Sequence, residues 1–140
     1  MLQLAYWFCV CAVLAACIGC RRPAATADKG KVQFQNYCAA CHRYDGQEMG
    51  DGPQLYASRW VRGPEDRLIR IVLHGLRGRL EMPGFGQVLS DEDAASLLSY
   101  VRARFGPEAE PIKAEAVGRV RAAHRTRTDY WSLEELRRLP

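Results

Sequence analysis

The sequence predicts an all-α domain of three main helices followed by a helical C-terminal extension. Three observations point there. Apolar residues cluster or recur at helical spacing in three stretches, around Val32, Phe34 and Tyr37, from Leu68 to Leu73, and at Ala94, Leu97, Leu98 and Val101. The segments between them, 43–63 and 76–89, are rich in Gly, Asp and Pro and read as loops. No strand precedes the Cys38-Ala39-Ala40-Cys41-His42 run that closes the first helix, and no βαβ pattern surrounds it.

Asp28 is the expected N-cap of the first helix, about residues 29–40, which delivers Cys38 and Cys41. Pro64 fits the first position of the second helix, and Glu65 and Asp66 complement its positive end. Its buried side is Leu68, Ile69, Ile71, Val72 and Leu73, and Gly75 stops it. Ser90-Asp91-Glu92-Asp93 opens the third helix much as a capping box does, and Gly106-Pro107 ends it. In the tail, residues 113–124 read as a helix with Ala116, Val117 and Val120 on one side. Ser132-Leu133-Glu134-Glu135 opens a shorter one, and Trp131, Leu133 and Leu136 are apolar enough to pack. The expected organisation is an N-terminal signal or anchor at 1–20, a tether at 21–27, a compact domain at 28–106 and the helical extension at 107–140.

Two thiols three positions apart with a histidine directly behind them form the attachment pattern of c-type haem. Helical positions i and i+3 lie on one face, so both sulfurs reach one edge of a porphyrin and form thioethers with its vinyl groups. His42 is then the proximal iron ligand. A thioredoxin-like pair or half a zinc site also uses Cys-x-x-Cys, but neither needs the adjacent histidine. The remaining cysteines, Cys9, Cys11, Cys17 and Cys20, all lie in the apolar N-terminus. A domain near 80 residues buries little apolar area, so a covalent haem at its centre is expected to be required for folding.

Gly30, Phe34 and Tyr100, the Gly52-Pro53-Gln54-Leu55 segment, Trp60 and Met82-Pro83-Gly84-Phe85-Gly86 join the Cys-x-x-Cys-His run in resembling the class I cytochrome c family over residues 28–106. That resemblance implies the small class I fold, with the first and last helices packed across Gly30, Phe34 and Tyr100. It implies one covalent haem c, a Pro53 carbonyl that accepts the Nδ1–H of His42, and a Trp60 close to a haem propionate. It also implies Met82 as the second axial ligand. Arg67 to Gly75, followed by Met82-Pro83-Gly84-Phe85, is closer still to bacterial monohaem cytochromes found with quinoprotein-type alcohol or sugar dehydrogenases, and the tail resembles their extension.

Met82 is the expected sixth ligand on the residues alone as well. Met1 leaves with a cleaved signal, and Met49 lies in a glycine-rich turn close behind His42. Met49, His74 and an open position are the alternatives. With His42 and Met82 both on iron, no coordination position is left for substrate. The expected function is therefore electron carriage, not catalysis, between a dehydrogenase or quinol oxidoreductase and a terminal acceptor such as an oxidase. The rival reading is a haem enzyme or ligand sensor with a labile or absent sixth ligand.

Residues 4–20 carry no charge and fit a secretory apolar region. Leu14-Ala15-Ala16-Cys17 resembles a bacterial lipobox, which implies cleavage before Cys17, a lipid on its sulfur and membrane anchorage at the periplasmic face; an uncleaved anchor is the alternative. The net charge of +4 is spread thinly, with eleven basic and ten acidic residues over 28–106. No basic stripe interleaved with aromatics appears, which excludes nucleic acid as an expected partner. Arg43, Arg59, Arg62, Arg77 and Arg79 lie in the expected haem-flanking loops and suit an acidic docking face.

Overall fold

The computed structural model describes residues 24–47 and 53–139. The expected signal or anchor with Cys17, residues 21–23 of the tether, Met49 and Gly52 lie outside the described residues. Helix α1 spans Ala24–Tyr37 and starts four residues before Asp28, so Asp28 lies inside the helix and does not cap it. Ala24, Ala25 and Ala27 are strong helix formers, and the last four residues of the expected tether form the first turn. The helix breaks at Cys38, whose backbone (φ −118°, ψ −36°) leads into a separate short helix, α2, Ala39–His42. Hydrogen bonds cross the break, from the Cys38 amide to the Phe34 carbonyl (2.9 Å) and from the His42 amide to the Cys38 carbonyl (2.9 Å).

The segment expected as loop holds a one-turn helix, α3, Arg59–Arg62, capped by the Ser58 hydroxyl, which accepts from the Trp60 amide at 3.3 Å. Helix α4 runs Glu65–His74 with its five expected apolar residues buried, and Gly75 terminates it at φ +85°. Strand β1 (Leu76–Arg77) follows, in a stretch read as loop. Helix α5 spans Asp91–Phe105, its N-terminus capped by the Ser90 hydroxyl accepting from the Asp93 amide at 3.1 Å. The tail contains α6 (Ala114–Ala123), strand β2 (Trp131–Ser132) and α7 (Leu133–Arg138), the last opened by a full capping box between Ser132 and Glu135. β1 and β2 pair in parallel, Leu76 with Trp131 and Arg77 with Ser132.

α1 crosses α5 at a point where a side chain on Gly30 would overlap the Ser96 carbonyl oxygen and the Tyr100 β-carbon. Phe34 fills the crossing, its ring 5.2 Å from Phe105 and 5.6 Å from Tyr100. The main core gathers Phe34, Ile69, Leu97, Leu98 and Phe105 with Val117 from the tail. A second cluster holds Ile71, Trp131 and Leu136. The tail therefore packs on the helices that precede it, as its apolar stripe requires. Two arginines staple the loops. Arg102, 5% exposed, donates to the carbonyls of Glu110 (2.9 Å) and Gly63 (2.5 Å). Arg121 of α6 reaches Asp91 (2.8 Å) and the carbonyls of Leu89 (2.8 Å) and Gly86 (2.5 Å).

Candidate functional site

The break between α1 and α2 sets the geometry of the Cys-x-x-Cys-His run. Cys38 and Cys41 carry unbridged thiols, the first buried and the second exposed. Burial pushes the Cys38 thiol up to about 12, helped by the neighbouring Cys41. That is opposite to the depressed thiolate that a redox Cys-x-x-Cys pair needs. Among the described residues, no three His, Cys, Asp or Glu side chains gather as a metal-binding group, so a zinc site is not assembled around the pair.

His42 is 8% exposed, and its Nδ1 donates to the Pro53 carbonyl oxygen at 2.9 Å. Desolvation lowers its pKa while the Pro53 bond pulls the other way. The ring is thus neutral near pH 7, with its proton on Nδ1 and its Nε2 lone pair available to a metal.

Met82 sits in a short hairpin that returns to the end of α4. Its amide donates to the Leu76 carbonyl and its carbonyl accepts from the Leu76 amide, both at 3.0 Å. Beyond it the Phe85 amide bonds the Val72 carbonyl (2.8 Å) and the Gly86 amide the Leu73 carbonyl (2.9 Å). The helix carbonyls that α4 leaves open at its C-terminus are therefore used to hold the methionine loop. Met82 is partly buried and packs against both apolar clusters, including the one that contains Cys38.

Trp60 lies on α3 with the Arg59 guanidinium 5.0 Å from its ring, and it packs against the Ile71–Trp131–Leu136 cluster. A cavity beside it is lined by Arg59, Arg67 and Arg137. His74, an alternative iron ligand from sequence, instead faces the tail: its ring lies 6.0 Å from His124 and 6.4 Å from Trp131.

Sequence reasoning did not single out His124, Arg127 or the role of Trp131 next to the methionine loop, and it read Gly75 only as a helix stop. The two-residue strands that bring them there are too short to leave a periodic signal. Only Trp131, a large apolar residue just before a capping box, hinted at an anchor.

The donor set fits a covalent haem: two unbridged thiols one turn apart, a neutral imidazole oriented by a carbonyl, and a thioether on a pinned loop that borders the same core.

Residues 25–101 match the profile of the family described as cytochrome c oxidase, cbb3-type, subunit III. The fructose dehydrogenase cytochrome subunit of Gluconobacter japonicus is 34% identical over 107 residues, covering 66% of this chain and 22% of that protein. Cytochrome c-552 of Thermus thermophilus is 30% identical over 120 residues, covering 70% of this chain and 77% of that protein. The cbb3-type cytochrome c oxidase subunit CcoP of Azospirillum brasilense is 34% identical over 86 residues, 56% of this chain and 28% of its own length. The chain thus spans about a fifth of the fructose dehydrogenase subunit and most of the c-552 protein.

Proposed function

The chain belongs to the cytochrome c oxidase, cbb3-type, subunit III family, whose domains are class I monohaem c-type cytochromes with covalent haem c, and on that premise we propose that it is a closed, six-coordinate electron carrier. In this reading Cys38 and Cys41 hold the haem, His42 is the proximal ligand and Met82 the distal one. The group supplies a one-electron Fe(III)/Fe(II) couple, and a thioether ligand favours Fe(II) relative to a second histidine. The chain supplies rigidity. Pro53 fixes the His42 ring, and the carbonyls of Val72 and Leu73 fix the loop on the other side. Leu55, Met82 and Phe85 lie against the core and would keep water from a bound haem.

The observation that carries the reading is the pinning of Met82 by paired hydrogen bonds to Leu76, with further bonds from Phe85 and Gly86. A donor held at both backbone atoms closes a coordination position more firmly than a free loop does. Arg59 and Trp60, beside a cavity that Arg67 and Arg137 also line, support a cationic setting for the haem propionates. The carrier works between a dehydrogenase or quinol oxidoreductase and a terminal oxidase. The relatives include subunits named for a dehydrogenase and for an oxidase. The uncharged run at 4–20 and the lipobox-like Cys17 support export and anchorage at the periplasmic face.

The test is coordination. The oxidised holoprotein should show the weak far-red sulfur-to-iron charge-transfer band, and the reduced holoprotein should resist carbon monoxide. Met82→Ala should lose the first and bind the gas. A wild type that binds carbon monoxide at once is a haem enzyme or sensor, and the carrier reading fails.

A further inference from the structure

Leu76 has a hydrogen-bonded neighbour on each side. On one side it exchanges both backbone bonds with Met82 at 3.0 Å. On the other side β1 pairs in parallel with Trp131–Ser132, and the Gly75 carbonyl accepts from the Trp131 amide at 3.1 Å. One strand therefore separates the tail from the methionine. Side chains repeat the link, because Met82 packs on the Ile71–Trp131–Leu136 cluster as well as on the main core. Trp131 is 5% exposed, with the Arg127 guanidinium 3.6 Å from its ring centre and His124 edge-on at 5.1 Å. Arg127 is itself fixed, to the Tyr130 carbonyl at 2.9 Å and to the Glu135 carboxylate at 3.0 and 3.2 Å.

A two-residue strand pair has no stability of its own. Arg77, Gly78, Arg79, Leu80 and Glu81, at the tip of the Met82 hairpin, are all exposed. The hairpin keeps its shape because something else holds its base, and the element at its base is the tail strand.

We propose that the tail strand headed by Trp131, with Arg127 stacked behind the indole, braces the Met82 hairpin over the haem site, so that Trp131 and Arg127 are positioning residues for the sixth ligand. The inference rests on Met82 as that ligand. A tail that swings out releases β1, and a released β1 frees both backbone bonds of Met82. The fraction of molecules with the thioether withdrawn then follows the opening equilibrium of the tail.

The experiment compares wild type, Trp131→Ala, Trp131→Phe and Met82→Ala as purified holoproteins. Trp131→Ala should keep its covalent haem, weaken the sulfur-to-iron band, lower the midpoint potential and speed carbon monoxide binding to the reduced form by about tenfold or more. Trp131→Phe should restore most of the wild-type behaviour. If Trp131→Ala lowers only the melting temperature, with band, potential and gas resistance unchanged, the tail is structural and the brace is rejected. If Met82→Ala itself keeps the band and the gas resistance, the ligand assignment fails, and the brace falls with it.

Native-state hydrogen exchange on the wild type decides the case even if Trp131→Ala yields no holoprotein. The amides of Leu76, Met82 and Trp131 should open together. A Trp131 amide that exchanges about tenfold or more faster than those of Leu76 and Met82 overturns the brace.

Discussion

Gly75 turns the chain from α4 toward the methionine loop at φ +85°, in the left-handed region where a side chain is strained. A β-carbon there would overlap the Met82 carbonyl oxygen and crowd the Tyr130 ring and the Gly84 amide. Gly75→Ala should cost about 2 kcal/mol or more, because strain and a backbone clash add. Thermal melts of the ferric holoprotein should show a fall of roughly 10 °C, together with a weaker sulfur-to-iron band, since the displaced atom belongs to Met82. An unchanged band would show that the methionine does not depend on this turn. Gly30 has a simpler task. Gly30→Ala should drive α1 from Ser96 and Tyr100 and cost about 1–3 kcal/mol by melting, with the band intact.

Helix ends give the most transferable expectations among the elements. Ser90 caps α5, and Ser90→Ala should cost about 1 kcal/mol, read as a shift in denaturation midpoint at constant m. The junction of α4, α6 and β2 holds two histidines that make stability depend on pH. His74 faces His124, Arg127 and Arg121; burial and then those charges hold its pKa below 6.5, while a backbone bond to Arg127 opposes them. His124 accepts from the Arg70 Nε at 3.0 Å, and burial, Arg70 and Arg127 lower it against the pull of Asp66. The unfolded chain therefore takes up protons more readily than the folded one. The stability these rings contribute is present above about pH 6.5 and is lost as pH falls through their folded values. Melting temperature should drop between neutral and mildly acid pH, and His124→Asn should remove part of the drop; the same pH dependence without His124 would contradict this.

How far the sequence led differs among these elements for physical reasons. α4 and α5 were legible because each has an apolar stripe with a start signal at one end, Pro64 followed by two acidic residues for α4 and the Ser90 cap for α5, and a glycine at the other. The Cys-x-x-Cys-His run was legible because local spacing fixes its chemistry, and Pro53 was legible only through the resemblance of its segment to the class I cytochrome c family. α3 was missed because a single turn carries no period, and α1 was started late because Asp28 offers a cap that the preceding alanines override. The parallel pairing of Leu76 with Trp131 joins residues far apart in the chain, and no local pattern announces it.

For the molecule as a whole, the family match ends at residue 101, yet Val117, Trp131 and Leu136 complete the buried interior. The chain folds its own extension against the face that carries the methionine loop. The opposite consideration is what this surface presents to partners. Arg77 and Arg79 are exposed at the tip of that loop, next to Leu80, which is 52% exposed. An apolar contact flanked by exposed positive charge suits brief encounters with an acidic partner. Exchanging both arginines for glutamate should slow electron delivery by about tenfold at low ionic strength and flatten its salt dependence, as read by stopped-flow reduction. Equal rates would move the docking face elsewhere.

The proposed carrier rests on an iron whose two axial positions are filled by the chain, so the deciding measurement is a spectroelectrochemical titration of the holoprotein under argon and again under carbon monoxide. If His42 and Met82 hold the iron as proposed, no position is left for the gas, and superimposable one-electron curves are expected. A midpoint that rises under carbon monoxide would show that the reduced metal binds ligands, and an electron carrier with a closed site would be the wrong description of this protein.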